Sequence, residues 1–509
     1  MGWEADIFLE LFGRSLALWW IIVPAILIGI VVGALPGFSA QNTLIILLPL
    51  TLTLDVEVAL AFMVSLYSAS HLGGGIPAIL VNIPGTGGAA ATTIDGYKMT
   101  RSGKAQQALV LSFVSSVLGG LVTSVAVVAF LPWLAKLGLY LRSVEMVVVL
   151  LFGLTLIAVI AATDMLKGLI AGFFGLLIGV IGADHIYSTP RGTFGLLELY
   201  DGVPLVPALI GLFAISEALT MIEEKLIVPK WAKEASASAR WADTMDGFWI
   251  SLRNWWEIIW TGFVGMVIGV VPGAGASIAA FVAYQQSRMF SKTPHLYGTG
   301  HPNGVIAPES ANNGVTSGSL VPLMALGVPG GSTAAVMMIV LQYHGIVLGP
   351  RLFTEQPNIA YGIFVMMTVA YIFMIPMMLP LARYMSSAVL IPTPYMVPLI
   401  LSLTTVGAFA DREYVFDMGM ALAFGVLGYV ARKTGYHVTS ILIGVLLGPL
   451  FEQYLLRSLR IGQGDLTILF SSTIGNILWV MLVVSVAFPL WRERRLRRTV
   501  PDAAEKIST

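Results

Sequence analysis

Apolar runs long enough to cross a lipid bilayer recur along most of the chain. A transmembrane helix needs about 20 consecutive apolar residues. The clearest runs of this kind lie at residues 17–35, 108–131, 144–162, 359–381 and 468–488. The pattern predicts an all-α polytopic membrane protein with about 10–12 transmembrane segments, if each segment takes about 20 residues.

Proline and glycine interrupt these apolar regions at several points. The stretch NIPGTGGAAAT, at residues 82–92, lies in a region that is otherwise apolar enough for the membrane. A broken helix in lipid leaves backbone N–H and C=O groups without partners, so irregular backbone at this depth must be buried in protein or line a watery cavity. The breaks therefore predict discontinuous or re-entrant helices around an internal site.

Two blocks of sequence occur twice, in the same order. WWIIVPAILIGIVVGALPGFSA begins at Trp19 and aligns without a gap with WWEIIWTGFVGMVIGVVPGAGA, which begins 236 residues later at Trp255. IPAILVNIPGTGGAA begins at Ile76 and aligns with VPLMALGVPGGSTAA, which begins 245 residues later at Val321. In each pair the Pro-Gly break falls at the same place. The chain is therefore predicted to contain two copies of one membrane unit.

The distribution of positive charge orients these two copies. Lysine and arginine collect in the loop 95–104, in the connector between the copies and in the tail WRERRLRR, as is typical of cytoplasmic segments. Counting spans between these segments places the copies in opposite orientations, as in the inverted repeats of secondary transporters. The predicted parts are repeat one at 15–220, a cytoplasmic connector at 221–250, repeat two at 251–455, an extra C-terminal transmembrane span at 456–490 and a cytoplasmic basic tail at 491–509.

Composition supports the membrane interpretation and excludes several kinds of function. Of the 509 residues, 57% are hydrophobic and 11% are charged, against about 25% charged residues in soluble proteins. The chain has no cysteine, so disulfides, thiolate metal sites and cysteine catalysis are excluded. No basic tract points to nucleic acid, and no catalytic dyad or metal set in the spans points to an enzyme. The acidic N-terminus is unlike that of a cleaved signal.

Polar side chains gather at the Pro-Gly breaks, where a binding site is expected. The N-terminus of a half-helix carries free N–H groups and a partial positive charge that suit a carboxylate, and unwound carbonyls suit a sodium ion. Close packing of helices is the alternative explanation for each small residue. The candidate substrate- or ion-binding residues are Ser39, Asn42, Asn82, Gly85, Thr86, Gly275, Asn312, Asn313, Gly330, Ser332 and Thr333.

Four further titratable residues have competing interpretations. Glu309 is an acid within an otherwise neutral block, APESANNGVTSGS. An acid at membrane depth marks an ion or proton pathway, and a loop carboxylate at the interface is the equally weighted alternative. We assign His71 and His437 to packing or helix ends, and Asp95 to a cytoplasmic turn.

Several long motifs resemble one family of membrane transporters. GGGIPAILVNIPGTGGAAATTIDGYKMTRSGKAQQAL, at residues 73–109, is similar to the signature of the large membrane (permease) subunit of the tripartite tricarboxylate transporters, the TctA family. Three further stretches resemble the same family: GALPGFSAQNTLIILLPLT, APESANNGVTSGSLVPLMALGVPGGSTAA and ILIGVLLGPLFEQYLLRSLRIGQGDLTILF.

The resemblance implies a permease in the bacterial inner membrane that imports citrate or another tri- or dicarboxylate. It implies two partners, a periplasmic solute-binding protein and a small membrane subunit of about four spans. It also implies transport driven by an ion gradient, with sodium as the expected ion, and no resident cofactor. The main alternative is a stand-alone secondary transporter for another small organic anion. An intramembrane enzyme and a scaffold are the remaining classes, and the duplicated helix breaks argue against a scaffold.

Overall fold

Helices make up most of the residues that the structure describes, with one short pair of strands among them. The computed structural model describes residues 5–35, 39–138, 141–161, 165–183, 188–223, 240–384 and 393–499. The strands β1 (Gly182–Ala183) and β2 (Pro190–Arg191) pair in antiparallel fashion. The predicted all-α membrane fold is confirmed. Parts of the predicted division lie outside the described residues: the Pro-Gly pair at 36–37, most of the connector (224–239) and the end of the tail (500–509).

The helices of the first half surround the breaks of repeat one. The last two of them are joined by a π-helical turn at Ile210–Ile215. In chain order they are α1 (Ala5–Ala17), α2 (Trp19–Gly33), α3 (Ala40–Thr51), α4 (Val56–Gly73), α5 (Gly75–Val81), α6 (Thr93–Arg101), α7 (Ala105–Gly138), α8 (Ser143–Ala161), α9 (Met165–Gly179), α10 (Leu205–Leu209) and α11 (Ser216–Glu223).

The helices of the second half repeat the early part of this order and then extend it. In chain order they are α12 (Trp241–Arg253), α13 (Trp255–Val270), α14 (Gly275–Phe290), α15 (Asn303–Leu326), α16 (Ser332–Tyr343), α17 (Leu352–Glu355), α18 (Pro357–Tyr384), α19 (Thr393–Ala410), α20 (Val415–Thr434), α21 (Val438–Ile461) and α22 (Thr473–Thr499).

By length and composition, six of the described helices could cross a membrane, and the bent pair α1–α2 could be a seventh span. The apolar runs predicted at 108–131 and 359–381 fall within two of the six, Ala105–Trp133 and Pro357–Tyr384. Shorter apolar helices, among them α3, α13 and α16, lie beside the Pro-Gly breaks. The total of about 10–12 spans stays a prediction, because it depends on which short helices together cross the bilayer.

Helix α15 forms the centre of the protein. Every residue from Gly304 to Ala325 is buried, although this stretch carries a glutamate, two asparagines and several hydroxyl side chains. The helix packs against α13 and α7, with α14 and α4 beside it. Because buried polar groups are costly without hydrogen bonds, a polar helix in this position needs partners from its neighbours.

The second Pro-Gly break folds back on its own helix in the same way in both repeats. In repeat one, the N–H of Gly85 donates to the carbonyl of Gly74, 11 residues earlier, at 3.1 Å. In repeat two, the N–H of Gly330 donates to the carbonyl of Ser319, also 11 residues earlier, at 3.3 Å. Donor corresponds to donor and acceptor to acceptor at the same spacing of 245 residues. The repeat seen in the sequence is therefore also a repeat of backbone contacts.

Close helix packing is matched between the repeats as well. A Cβ added to Gly33 of α2 would lie 2.3 Å from the carbonyl oxygen of Ser70 on α4. A Cβ added to Gly269 of α13 would lie 2.9 Å from the carbonyl oxygen of Val315 on α15. Both distances are shorter than real Cβ contacts, so α2 and α13 approach their partners only because these positions are glycine.

The equivalent helices α4 and α15 run antiparallel across the centre of the protein. Tyr67 Oη lies 2.9 Å from Ser319 Oγ, and one turn later His71 Nδ1 lies 2.8 Å from Asn312 Oδ1. The residue number rises along α4 while that of its partner falls along α15. Two copies of one helix that cross in opposite directions are what an inverted repeat requires.

Candidate functional site

A cavity of about 350 Å³ lies where the two repeats meet. Its walls are the first turns of α3, α14 and α16, together with the 3-10 turn at Gly87–Ala89 that follows the second break of repeat one. The start of α21 and the facing sides of α4 and α15 complete the lining. The breaks of both repeats therefore converge on one site.

Helix N-termini give this cavity its electrostatic character. The first turn of a helix presents N–H groups without intrahelical partners and a partial positive charge, which together attract anions. Among the described residues that line the cavity, none is Asp, Glu, Lys or Arg. Ser332 donates a hydrogen bond to Gln41, so the first turns of α16 and α3 are joined across the repeats. The cavity suits a small anion that is held by dipoles and hydroxyl groups.

Three residues of the lining carry a polar side-chain atom without a hydrogen-bond partner among the described residues. Ser39 Oγ, Thr86 Oγ1 and His71 Nε2 are buried and have no hydrogen-bond partner within the part of the chain that the structure describes. Buried polar atoms are normally satisfied, so an unsatisfied set that faces a cavity indicates a place for a bound molecule or water. The hydroxyl groups can donate to a carboxylate, and the imidazole nitrogen can donate or accept.

The structure brings six of the eleven candidate residues into this lining and leaves five outside it. A Cβ added to Gly330 would lie 2.8 Å from the carbonyl oxygen of Gly269, so close packing explains this glycine, whereas Gly275 takes left-handed backbone with φ of 64°. The six lining residues are Ser39, Thr86, Gly275, Gly330, Ser332 and Thr333.

The buried asparagines lie behind the cavity wall. Asn312 binds both the ring and the carbonyl of His71, and so fixes the orientation of that histidine. Asn313 accepts a hydrogen bond from Tyr371 Oη at 3.1 Å. Asn42 is fully buried in α3, and neither its amide nitrogen nor its oxygen has a partner among the described residues.

The remaining two candidates serve the backbone of the second break. Asn82 is exposed and takes the left-handed conformation at the end of α5, with φ of 61°. Its equivalent in repeat two, Gly327, ends α15 with φ of 69°. Gly85 packs where an added Cβ would lie 2.3 Å from the carbonyl oxygen of Gly33. Asparagine and glycine tolerate left-handed backbone, so the position of Asn82 is explained by helix termination.

Comparison with known proteins places this architecture in a family. The family described as "Tripartite tricarboxylate transporter TctA family" matches residues 18–443 of the chain. This range contains every residue that lines the cavity. The chain belongs to the TctA family. The resemblance noted in the sequence motifs is therefore confirmed. Members of the TctA family are transporters, and each is the large membrane subunit of a tripartite system with a small membrane subunit and a periplasmic binding protein.

Two relatives from Agrobacterium vitis are similar to this TctA family chain. An "Uncharacterized 52.8 kDa protein in TAR-I ttuC' 3'region" is 30% identical over 479 residues, which cover 93% of each chain. An "Uncharacterized protein in TAR-II ttuC' 3'region" is 32% identical over 234 residues, which cover 46% of this chain and 97% of the relative. No solved structure matches the chain.

Sequence reasoning missed several residues that line the cavity of this TctA family protein. His71 lies in the last turn of α4 and His437 is the N-cap of α21, which confirms their assignment to helix ends, but both residues also line the cavity. Tyr67 and Gln41 line it too. A lone histidine in an apolar helix gives no periodic signal, and the signal that could have found His71 is its place on the helix that leads into the second break.

Glu309 lies inside α15 of the TctA family chain, so the interfacial-loop alternative is wrong for its position. The side chain is fully buried. Thr92 Oγ1 donates to one carboxylate oxygen at 2.6 Å, and Ser116 Oγ donates to the other at 3.0 Å. Both donors belong to repeat one. The acid is therefore held at the contact between the repeats, and it does not line the cavity.

Asp95 joins the two repeats on the side predicted to be cytoplasmic. It lies in α6, and its carboxylate accepts hydrogen bonds from the backbone N–H groups of Gly298, Gly300 and His301 at 2.7–2.9 Å. Tyr284 Oη donates to it at 2.9 Å. The residues predicted to form a cytoplasmic turn are thus a helix, and the carboxylate of Asp95 binds a loop of repeat two. Sequence alone does not show this contact, because it joins residues from both repeats.

Proposed function

We propose that this chain is the permease that imports a carboxylate through the cavity between its repeats. The observation that supports the proposal is the convergence of helix N-termini from both repeats on one cavity, whose described lining residues include no acid. Each such helix end contributes about 0.3–1 kcal/mol to anion binding, or up to ~2 kcal/mol when partly buried. Several ends acting together could hold a di- or tricarboxylate without an arginine.

A sodium gradient is the proposed driving force. Sodium is a hard cation that takes neutral oxygen ligands and backbone carbonyls at helix breaks in transporters of this kind. Asn42 and Ser39 lie three residues apart at the start of α3, and both carry buried oxygens without a partner among the described residues. An inward sodium ion gains about 2.3 kcal/mol per 100 mV of membrane potential. We propose these oxygens as sodium ligands beside the carboxylate.

Alternating access is the proposed mechanism, in the bacterial inner membrane with the C-terminus in the cytoplasm. The antiparallel crossing of α4 and α15 gives the cavity a related wall from each repeat. Movement of one repeat-derived unit against the other would open this site to either side in turn. A periplasmic solute-binding protein would deliver the carboxylate, and the small membrane subunit would complete the membrane complex.

Uptake of labelled di- and tricarboxylates tests the proposal. Cells or proteoliposomes carry this chain with its small membrane subunit, with or without the binding protein and with or without an inward sodium gradient. We expect uptake of citrate or a related acid that requires both the binding protein and sodium. Uptake without the binding protein would favour the stand-alone transporter. Absence of uptake for every carboxylate under all four conditions would contradict the proposed function.

A further inference from the structure

Glu309 is a buried acid without a countercharge among the described residues. None of the ion pairs that the described residues form involves Glu309. Its two oxygens accept hydrogen bonds from the hydroxyl groups of Thr92 and Ser116. An ionised carboxylate that is taken out of water without a cation is strongly disfavoured, whereas a protonated carboxyl group satisfies the same hydroxyl partners. The surroundings therefore favour the neutral acid while it stays buried.

The fold itself does not require an acid at this position. Glu309 corresponds to Val64, 245 residues earlier, on the equivalent helix α4. Val64 is fully buried too. The two helices are also packed in the same way next to this position. Gly29 of α2 lies against the carbonyl of Leu66, and the equivalent Gly265 of α13 lies against the carbonyl of Ala311, the residue equivalent to Leu66. One repeat builds the helix with a valine, so the glutamate of the other repeat has a role beyond packing.

One short segment of chain connects the acid to the substrate cavity. Residues 86–88 line the cavity, and Thr92, four residues further along, binds the carboxylate. The 3-10 turn at Gly87–Ala89 continues through the turn at 90–92, which contains Thr92, into α6. A ligand that shifts this turn also shifts the hydroxyl partner of Glu309. The site therefore has a direct mechanical link to the acid.

A second link runs through α15. Asn312 lies one helical turn beyond Glu309 and binds the ring of His71, a residue of the cavity lining. A Cβ added to Gly88 would lie only 1.8 Å from Asn312 Oδ1, so the cavity turn also presses directly on this asparagine. Both routes from the cavity therefore reach the same part of α15.

We propose that Glu309 binds and releases a proton in each transport cycle, so that a proton moves with the carboxylate in addition to sodium. The inference rests on the proposed function of the cavity. The space around the carboxylate is too crowded for a metal cation, so a proton is favoured. The two hydroxyl partners lie at hydrogen-bond distance, and the backbone of Gly75 lies so close that a Cβ added there would be 3.0 Å from Oε1. Movement of the 86–92 segment exposes the acid and allows it to ionise.

The other ionisable groups around Glu309 are committed to different partners. On α4, His71 binds Asn312, and on α6, Asp95 binds the backbone of the 298–301 loop. On α14, Tyr284 donates to Asp95, and at the start of α13, Glu257 accepts from Trp260. The parts of α5 and α7 that face the acid carry no charged residue in the described stretches 75–81 and 105–123. A pH response of transport is therefore assigned to Glu309 first.

Proteoliposomes that contain the full tripartite system provide the test. Sodium is kept equal on both sides, an inward proton gradient of one pH unit is imposed, and citrate accumulation is measured together with internal pH. One co-transported proton multiplies the limiting accumulation ratio about tenfold per pH unit. We expect this response and internal acidification for the wild type, and their loss in Glu309→Gln. Glu309→Asp keeps an acid and should keep the response. Glu145→Gln, which alters a buried acid at the start of α8, is the matched control.

The outcomes separate this inference from the function on which it rests. If the wild type takes up no carboxylate, the proposed function fails. If the wild type takes up carboxylate but ignores the proton gradient, only the role of Glu309 fails. A Glu309→Gln protein that keeps the full tenfold response would also overturn the inference. So would a Glu309→Gln protein that loses exchange of labelled for unlabelled citrate, because that loss would assign Glu309 to binding or folding.

Discussion

Helix α4 with its continuation α5 in repeat one, and helix α15 in repeat two, occupy equivalent places but carry different chemistry. Their backbones make the same contacts, since each break folds back 11 residues onto its own helix. Their side chains differ where polarity matters, because Val64 of one helix corresponds to Glu309 of the other. At the helix end, Asn82 of one corresponds to Gly327 of the other.

This comparison separates what the membrane fold requires from what a transport site requires. Backbone groups at membrane depth must be satisfied within the protein, so both repeats need the same fold-back and the same close helix packing. A single cavity between the repeats needs each polar group only once. We therefore expect that changes to shared features destabilise the protein, and that changes to unshared side chains alter transport.

The largest effect is expected when the acid of repeat two is copied into repeat one. Val64→Glu places a carboxylate in a fully buried position of α4, where a valine packs among apolar neighbours. A buried charge without a partner costs on the order of 3–5 kcal/mol. Thermal unfolding in detergent should show a strongly lowered midpoint. Val64→Ala, which adds no charge, is the control with a smaller loss. A Val64→Glu protein as stable as the wild type would contradict the structural difference between the repeats.

A smaller loss of stability is expected from the shared glycines. The new Cβ of Gly33→Ala would lie 2.3 Å from a carbonyl oxygen of α4, and that of Gly269→Ala would lie 2.9 Å from a carbonyl oxygen of α15. Each substitution therefore forces the two packed helices apart. Such overpacking costs roughly 1–3 kcal/mol, and the closer contact at Gly33 should give the larger loss. Thermal unfolding measures both. Gly419→Ala, in open space on α20, is the matched control. Equal stability of all three variants would contradict the matched packing.

The smallest effect is expected at the end of α5. Asn82→Gly gives repeat one the residue that repeat two already has at the equivalent position, and glycine accepts the φ of 61° without strain. The change in stability should stay within about 0.5 kcal/mol, as for most exposed substitutions. Carboxylate uptake should match the wild type. A large loss of uptake would place Asn82 in the binding site, as the sequence had suggested.

Sequence patterns predicted the parts of the account that depend on backbone geometry. Proline and glycine mark where a helix must break, and spacings of 236 and 245 residues pair the first and second breaks of the two repeats. Six candidate residues next to these breaks do line the cavity, Thr86 and Ser332 among them. A break fixes where the next helix begins along the chain, so the residues of its first turn can be predicted from the sequence.

Side-chain positions that depend on how helices cross were not predictable in this way. Asn312 was expected in the binding site, yet it lies behind His71, because the crossing of α4 and α15 decides which side chain faces the cavity. His437 comes from a helix far from both breaks in sequence. Glu309 could be placed in a loop or in a helix from sequence alone, and its position inside the buried helix α15 decides between them.

Cysteine accessibility tests the central claim that the cavity between the repeats binds the carboxylate. The chain has no native cysteine, so a single introduced thiol gives an unambiguous signal. Ser277→Cys places it in the cavity lining, and Asn82→Cys places it on the exposed turn outside the cavity. We expect saturating citrate, or the carboxylate that the uptake panel identifies, to slow labelling of Ser277→Cys by a thiol reagent while labelling of Asn82→Cys stays unchanged. Equal labelling of Ser277→Cys with and without the carboxylate would contradict the account.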